Sequence, residues 1–295
     1  MGRILVTGGT GQVAQALEEA APDRVHRVGR PHFDFDHPAS IAACFQESRP
    51  SLVVNAAAYT AVDAAEDDSA AAYRANRDGP ATLARLCAGS GVPLIHISTD
   101  YVFDGTKGAP YVETDPVAPP GIYGASKLAG EQAVLGSGAQ AVILRTSWVY
   151  APAGKNFVRT MLTVGQSRDR LTVVADQRGC PTAAADLAAA ILGIARLIEA
   201  QGWQPGFAGV FHAAGSGETT WHGLACAVFE QAARRGAKVP QVDPIATADW
   251  PTRAKRPADS RLDCGKLQQI FGLRLPAWPG SVARAVDAIL ASQPS

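Results

Sequence analysis

Short apolar runs rich in β-branched residues punctuate the first half of the chain at positions 3–7, 25–28, 52–56, 93–99 and 141–146. Runs without polar alternation predict strands whose sheet is covered on both faces. Between them lie alanine-rich stretches of helical character at 12–20, 38–48, 69–90 and 126–135. This alternation predicts an α/β fold, a doubly wound parallel sheet. Asp67 and Asp68 offer capping oxygens to the helix at 69–90, and Gly89 and Gly91 offer a stop. After Tyr150 the rhythm loosens. Helices are expected at 157–165, 183–200 and 219–235, strands at 171–175 and 210–214, and a long proline-rich loop at 240–257.

The 295 residues exceed one average domain of ~150, so two unequal lobes are expected. The expected division is 1–150 and 151–295, with segments within 171–215 returning to the first sheet. A hydrophobic fraction of 47% and a charged fraction of 18% exclude a disordered or collagen-like chain. Lysine plus arginine and aspartate plus glutamate both number 27, so no global field draws the chain to nucleic acid or an anionic membrane. Any anionic ligand must be held by a local site. The five cysteines show no C-x-x-C pair and no zinc spacing, and read as reduced thiols. Ile4, Leu5 and Val6 are too few for a signal peptide, and the apolar run 187–195 is closed by Asp186 and Arg196, so a soluble cytoplasmic protein is expected.

The segment 6–14 places Gly8, Gly9 and Gly11 between the first strand and the first helix, with Gln12 and Val13 opening that helix. A turn lacking Cβ atoms lets backbone N–H groups and a helix N-terminus approach a pyrophosphate, so the first lobe reads as a Rossmann-type dinucleotide-binding domain. Tyr123 and Lys127 are one helical turn apart and face the same way. The lysine charge is expected to lower the tyrosine pKa and make it a proton donor near neutral pH. Thr99 ends a strand, and in an open parallel sheet ligands bind beyond the carboxyl ends of strands. Arg30 stands 19 residues past Gly11 (30 − 11), where an NAD-selective site carries a carboxylate. A guanidinium there pairs with a 2′-phosphate, which predicts NADPH preference with NADH still usable; otherwise Arg30 faces solvent and Asp34 or Asp36 approaches the adenosine.

Together the glycine turn, Asn55-Ala56-Ala57, Thr99 and Tyr123-x-x-x-Lys127 resemble the extended short-chain dehydrogenase/reductase family. Within it, segments 98–105, 145–150, 176–182, 211–215, 220–221 and 256–262 are similar to those of the dTDP-4-dehydrorhamnose reductases. The likeness runs from Ile4 to about Leu262. It implies NADPH-dependent reduction of the C4 ketone of dTDP-4-dehydro-6-deoxy-L-mannose to dTDP-L-rhamnose. By resemblance, Thr99 hydrogen-bonds the substrate carbonyl, Tyr123 protonates its oxygen, and Lys127 orients the nicotinamide ribose. Resemblance also puts Asp34 and Phe35 beside the adenine, Ala57, Ala58 and Tyr59 along the cofactor, Asp100 and Trp148 against the sugar, and a smaller mixed α/β substrate lobe after 150. Asn156 and the 177–182 stretch are read as lining the sugar pocket or as loop packing.

The chain departs from the family at Ala14 and Ala151, which replace glycines, and at Ala16, where some relatives carry a glutamate that shares magnesium between subunits. A methyl ligates no hard cation, and Glu18 and Glu19 fall at the wrong helical position, so no metal is expected, while a homodimer stays possible. His32, His37, His96 and His212 read as packed or loop residues. Two alternatives stand beside the main reading. One is reduction of another nucleotide 4-keto-6-deoxy sugar; the other is a non-catalytic dinucleotide-binding subunit resembling the regulatory subunit of methionine adenosyltransferase.

Overall fold

The structure, a computed structural model, describes residues 2–292. The first half runs β1 (Ile4–Thr7), α1 (Gln12–Ala20), β2 (Val25–Val28), α2 (Pro38–Ser48), β3 (Leu52–Asn55), α3 (Val62–Ala65), α4 (Ser69–Tyr73), α5 (Gly79–Ser90), β4 (Leu94–Thr99), α6 (Ile122–Leu135) and β5 (Ala141–Thr146). The second half runs β6 (Val149–Tyr150), α7 (Phe157–Ser167), β7 (Arg170–Val174), β8 (Arg178–Gly179), β9 (Thr182–Ala183), α8 (Ala184–Gln201), β10 (Gly209–His212), β11 (Thr219–Thr220), α9 (Trp221–Arg234), β12 (Gln241–Ile245), α10 (Gly265–Phe271) and α11 (Trp278–Ala291).

Six strands form one parallel sheet in the order β10-β5-β4-β3-β1-β2. Every residue of β1, β3 and β5 is buried, as the unbroken apolar runs require. On one face Ile4, Val6, Val54 and Ile95 pack with Leu17 of α1 and with Leu187, Ile191 and Ile194 of α8. On the other, Leu5, Val53 and Ile143 pack with Ile41 of α2, Leu83 of α5 and Val134 of α6. A further core, with Val158, Leu224, Val228, Val282 and Val286, joins α7, α9 and α11. The chain leaves β1 for β2 on one side and then crosses to β3 on the other. That reversal opens a crevice at the carboxyl ends of β1 and β3, where an α/β sheet receives ligands.

Three elements differ from the sequence expectation. The helix expected at 69–90 is interrupted by a π-helical stretch, Arg74–Asp78, in which Asn76 is wholly buried. Its side chain spans two elements: Nδ2 donates to the Tyr59 carbonyl at 3.1 Å and to Ser126 Oγ at 2.9 Å, and Oδ1 accepts from the Tyr59 N–H at 2.8 Å. Helix α6 starts at Ile122 rather than 126, so Tyr123 sits in its first turn. The loop expected at 240–257 contains β12, paired in parallel with β7. Pro244 is tolerated there because the pair has only two strands and each is an edge.

Candidate functional site

The carboxyl ends of the sheet open into a cleft of about 1680 Å³. Its floor begins at the glycine turn. Gly8 has φ +114°, and a Cβ there would stand 2.9 Å from the Ala56 backbone, so only glycine lets the turn after β1 lie against the chain leaving β3. Gly11 precedes α1 with no side-chain cap, which leaves the first N–H groups of that helix facing the cleft beside Gln12 and Val13. Beneath this turn, Thr7 Oγ1 donates to Asn55 Oδ1 at 2.6 Å and accepts from the Ala57 N–H at 3.2 Å. Asn55 Nδ2 lies 2.9 Å from His96 Nδ1. Burial keeps His96 neutral, its pKa far below the usual range, and His96 is a structural link in this chain. Ala57, Ala58 and Tyr59 follow from β3 into the cleft wall, with Tyr59 fixed by Asn76.

At the far wall Thr99 closes β4. Its Oγ1 donates to Asp100 Oδ1 at 3.1 Å and accepts from the Tyr101 N–H at 3.2 Å. Asp100 is 2% exposed, and its Oδ2 has no hydrogen-bond partner. Burial raises its pKa to about 6, against the opposing pull of the Ser260 and Thr99 hydroxyls. Lys127 is buried, and among the described residues its Nζ makes one hydrogen bond, 2.6 Å to the Ile97 carbonyl. Loss of hydration brings it from the usual 10.5 down to about 8, with Glu131 resisting. Tyr123 lines the same wall. The expected lowering of its pKa is not what the geometry gives. Desolvation dominates and pushes the phenol up to about 12, with the Thr99 hydrogen bond opposing, while the Lys127 ammonium turns to the strand carbonyl. The phenol is therefore neutral and proton-bearing at pH 7.

Trp148, at the turn out of β5, has φ +47°, a left-handed conformation costly for a bulky residue. Its indole stacks on Trp221 with centroids 3.6 Å apart and planes 7° apart. The 177–182 stretch braces this pair: Ser147 Oγ donates to the Cys180 carbonyl at 2.6 Å, and Trp221 Nε1 donates to Gln177 Oε1 at 3.2 Å. Asn156 lies apart from the large cleft, in a smaller recess with Lys155 and Arg159. Its Nδ2 donates to Gln12 Oε1 at 3.0 Å and to the Ala151 carbonyl at 2.8 Å, and its Oδ1 caps α7 through the Arg159 N–H. Asn156 thus ties the loop after β6 to the head of α1, and its polar atoms are used within the chain.

Beyond β2, Arg30, Asp34 and Phe35 line the cleft. Arg30 is 68% exposed and bound by Asp34 at 2.9 Å and Asp36 at 2.6 Å, and Asp36 also holds Arg74. A phosphate arriving there has to compete with two carboxylates. Sequence reading missed Trp221 as a wall of the cleft and Asn76 as the support of Tyr59. The first was visible only as a motif neighbour of Thr220, and the second carried no local signal. Among the described residues no group of three His, Cys, Asp or Glu side chains is placed to hold a metal ion, and no helix is long and apolar enough to cross a membrane.

The chain is similar to "dTDP-4-dehydrorhamnose reductase" of Sinorhizobium fredii, 46% identical over 98% of each chain. It is 39% identical to "Probable dTDP-4,6-dihydroxy-2-methyloxan-3-one 4-ketoreductase" of Streptomyces antibioticus, over 99% of this chain and 97% of that one. A crystal structure of dTDP-4-dehydrorhamnose reductase from Bacillus anthracis in complex with NADP superposes with a TM-score of 0.87 at 34% identity, covering 96% of this chain and 98% of that one. Residues 2–291 match the family model described as the RmlD substrate binding domain, and the chain belongs to that family.

Proposed function

We propose that this protein reduces the C4 ketone of dTDP-4-dehydro-6-deoxy-L-mannose with NADPH and yields dTDP-L-rhamnose. The observation that carries the reading is a neutral Tyr123 phenol beside Thr99 at the carboxyl end of β4, with the buried Lys127 one helical turn away. The residues fit a dinucleotide: the Gly8 turn admits no Cβ, α1 presents uncapped N–H groups, and the Lys127 ammonium has hydrogen-bonding capacity left over. The nicotinamide, when bound, supplies the hydride that reaches C4.

The chain's own residues do the rest. Gly8 and Gly11 bring backbone N–H groups to the pyrophosphate. Thr99 holds the sugar carbonyl, and Tyr123 gives its phenolic proton to the oxygen that gains charge as C4 is reduced. The alcohol leaves carrying that proton, and the tyrosinate is reprotonated from solvent. Lys127 makes the transient tyrosinate less costly by its charge. Trp148 and Trp221 offer an apolar wall to the deoxy end of the sugar. In this reading the helices α7, α9 and α11 form the core of the substrate lobe. The protein works in the cytoplasm, where its five free cysteines stay reduced, and it needs no magnesium.

The Streptomyces relative gives a second reading some weight, a different nucleotide 4-keto-6-deoxy sugar, because Thr99, Tyr123 and Lys127 do not read configuration elsewhere on the ring. The test is the purified protein with NADPH and enzymatically made dTDP-4-dehydro-6-deoxy-L-mannose, with the product identified by NMR. Consumption of NADPH with formation of dTDP-L-rhamnose is expected. Folded protein that binds NADPH without consuming it would move the non-catalytic reading ahead.

A further inference from the structure

Helix α6, which carries Tyr123 and Lys127, begins without a cap of its own. Its N-cap residue is Gly121, which offers no side-chain acceptor to the first N–H groups. The missing acceptor arrives from 56 residues upstream, where Glu66 Oε1 accepts the Ile122 N–H at 2.8 Å. A Cβ on Gly121 would stand 2.6 Å from that same oxygen, so the glycine keeps open the space through which the carboxylate reaches. Glu66 follows directly on α3, and α3 is itself held from the other half of the molecule. Asp63 binds Arg256 at 2.7 Å and the Ala254 N–H at 3.0 Å, and Asp67 pairs with Arg253.

We propose that Glu66 is a positioning residue for the proton donor: its carboxylate fixes the first turn of α6 through the Ile122 N–H and so sets the height of the Tyr123 phenol over the sugar oxygen. A carboxylate on a helix N-terminus is attracted by the helix dipole and forms a charge-assisted hydrogen bond, stiffer than a neutral one. Ile122 immediately precedes Tyr123, so movement of the turn is movement of the donor. The segment carrying Arg253 and Arg256 follows β12, so the backbone on either side of Glu66 is anchored, through Asp63 and Asp67, from the far end of the chain. The inference rests on the reductase reading above.

The experiment compares Glu66→Ala, Glu66→Gln and Gly121→Ala with the parent. Glu66→Ala is expected to lower kcat roughly 10- to 100-fold, the effect of misplacing a reacting group by about 1 Å, with NADPH affinity unchanged. Glu66→Gln keeps an acceptor oxygen and is expected to recover most of the rate. Gly121→Ala displaces the carboxylate and is expected to slow turnover similarly, and the double variant carrying both Glu66→Ala and Gly121→Ala is expected to be no slower than Glu66→Ala alone. The solvent deuterium effect on kcat is expected to grow in Glu66→Ala, because proton donation becomes the slower step. Hydrogen exchange of the Ile122 amide, measured by NMR without substrate, is expected to accelerate in Glu66→Ala and Gly121→Ala. Parent-like turnover in Glu66→Ala, parent-like Ile122 exchange, or a joint loss of kcat and NADPH affinity that Glu66→Gln does not relieve would each overturn the proposal. A parent that leaves the sugar unreduced overturns the reductase reading instead, and Ile122 exchange still decides whether Glu66 holds the turn.

Discussion

Helix α6 carries two buried charged side chains one turn apart, and their surroundings are opposite. Glu131 is 1% exposed and fully occupied: Arg145 donates to it twice, at 2.8 and 2.6 Å, and Ser98 Oγ donates at 2.5 Å. Arg145 also lies over the Phe103 ring. Lys127 is equally buried but has one acceptor, and nearby Asp100 Oδ2 and Thr146 Oγ1 have no partner among the described residues. A buried polar group is ordinarily satisfied; around Glu131 only Arg145 Nη1 lacks a partner, whereas the unused capacity at Lys127, Asp100 and Thr146 lines the cleft, where a ligand can complete the set. The first constellation fixes α6 against β4 and β5; the second leaves its cost outstanding until something binds. For Lys127 the fall from 10.5 to about 8 corresponds to about 3 kcal/mol against the charged form. The unfolded lysine holds its proton up to about 10.5, so the penalty weighs on folding below pH 8 and is relieved as pH rises from 8 to 10.5.

The contrast is sharpest at Tyr123. Tyr123→Phe removes the proton donor and is expected to lower turnover by about 10²–10⁴ while NADPH titrations and the unfolding midpoint stay near those of the parent. Activity within a few-fold of the parent would show that another group protonates the sugar oxygen. Arg145→Ala is expected to do the reverse. It strands the Glu131 carboxylate and should cost about 3–5 kcal/mol of stability in urea unfolding, with turnover per folded molecule little changed. Equal loss of rate and stability in both variants would erase the distinction between the two successive turns of α6. Above pH 7 the profile probes Lys127: kcat/KM, which reports groups of the free enzyme, is expected to fall as pH rises past about 8, when the ammonium that supports the tyrosinate loses its proton. A rate flat to pH 10 would assign that support elsewhere. The smallest effect is expected at Arg30. Arg30→Ala should remove an NADPH preference mainly through KM, because a 2′-phosphate is remote from hydride transfer. Asp34 and Asp36 already engage the guanidinium, so the loss is expected to be modest; a parent that prefers NADH would end the assignment.

Much of the Glu131–Arg145 constellation is invisible in the sequence, whereas the cleft-lining residues are largely legible. Glycines between a strand and a helix, a threonine at a strand end and a Tyr-x-x-x-Lys pair are local patterns with local physical reasons. Arg145 and Glu131 lie 14 residues apart on different elements, and nothing near either residue predicts that they meet. Serine is a favoured cap, which argues for a start of α6 at Ser126, but its Oγ bonds back to the Tyr123 carbonyl and the turn is served by distant Glu66. The break at Asn76 follows from that side chain's bonds to Tyr59 and Ser126, again a tertiary cause. Prolines at 240 and 244 argue for a loop, yet a two-stranded edge accepts them.

The interleaving of the sheet has a consequence for synthesis. Strand β5 ends at Thr146, but its outer neighbour β10 and the helix α8 that shares one face with α1 come only with residues 184–212. At about 5–20 residues per second, a ribosome leaves the edge of β5 uncovered, and the apolar face holding Ile4, Val6 and Val54 covered by α1 without α8, for roughly 3–13 s after β5 appears. A fragment stopping at residue 150 carries that exposure permanently, so it is a poor unit for expression however complete its nucleotide signature looks, and the nascent chain is a natural client for chaperones during the wait.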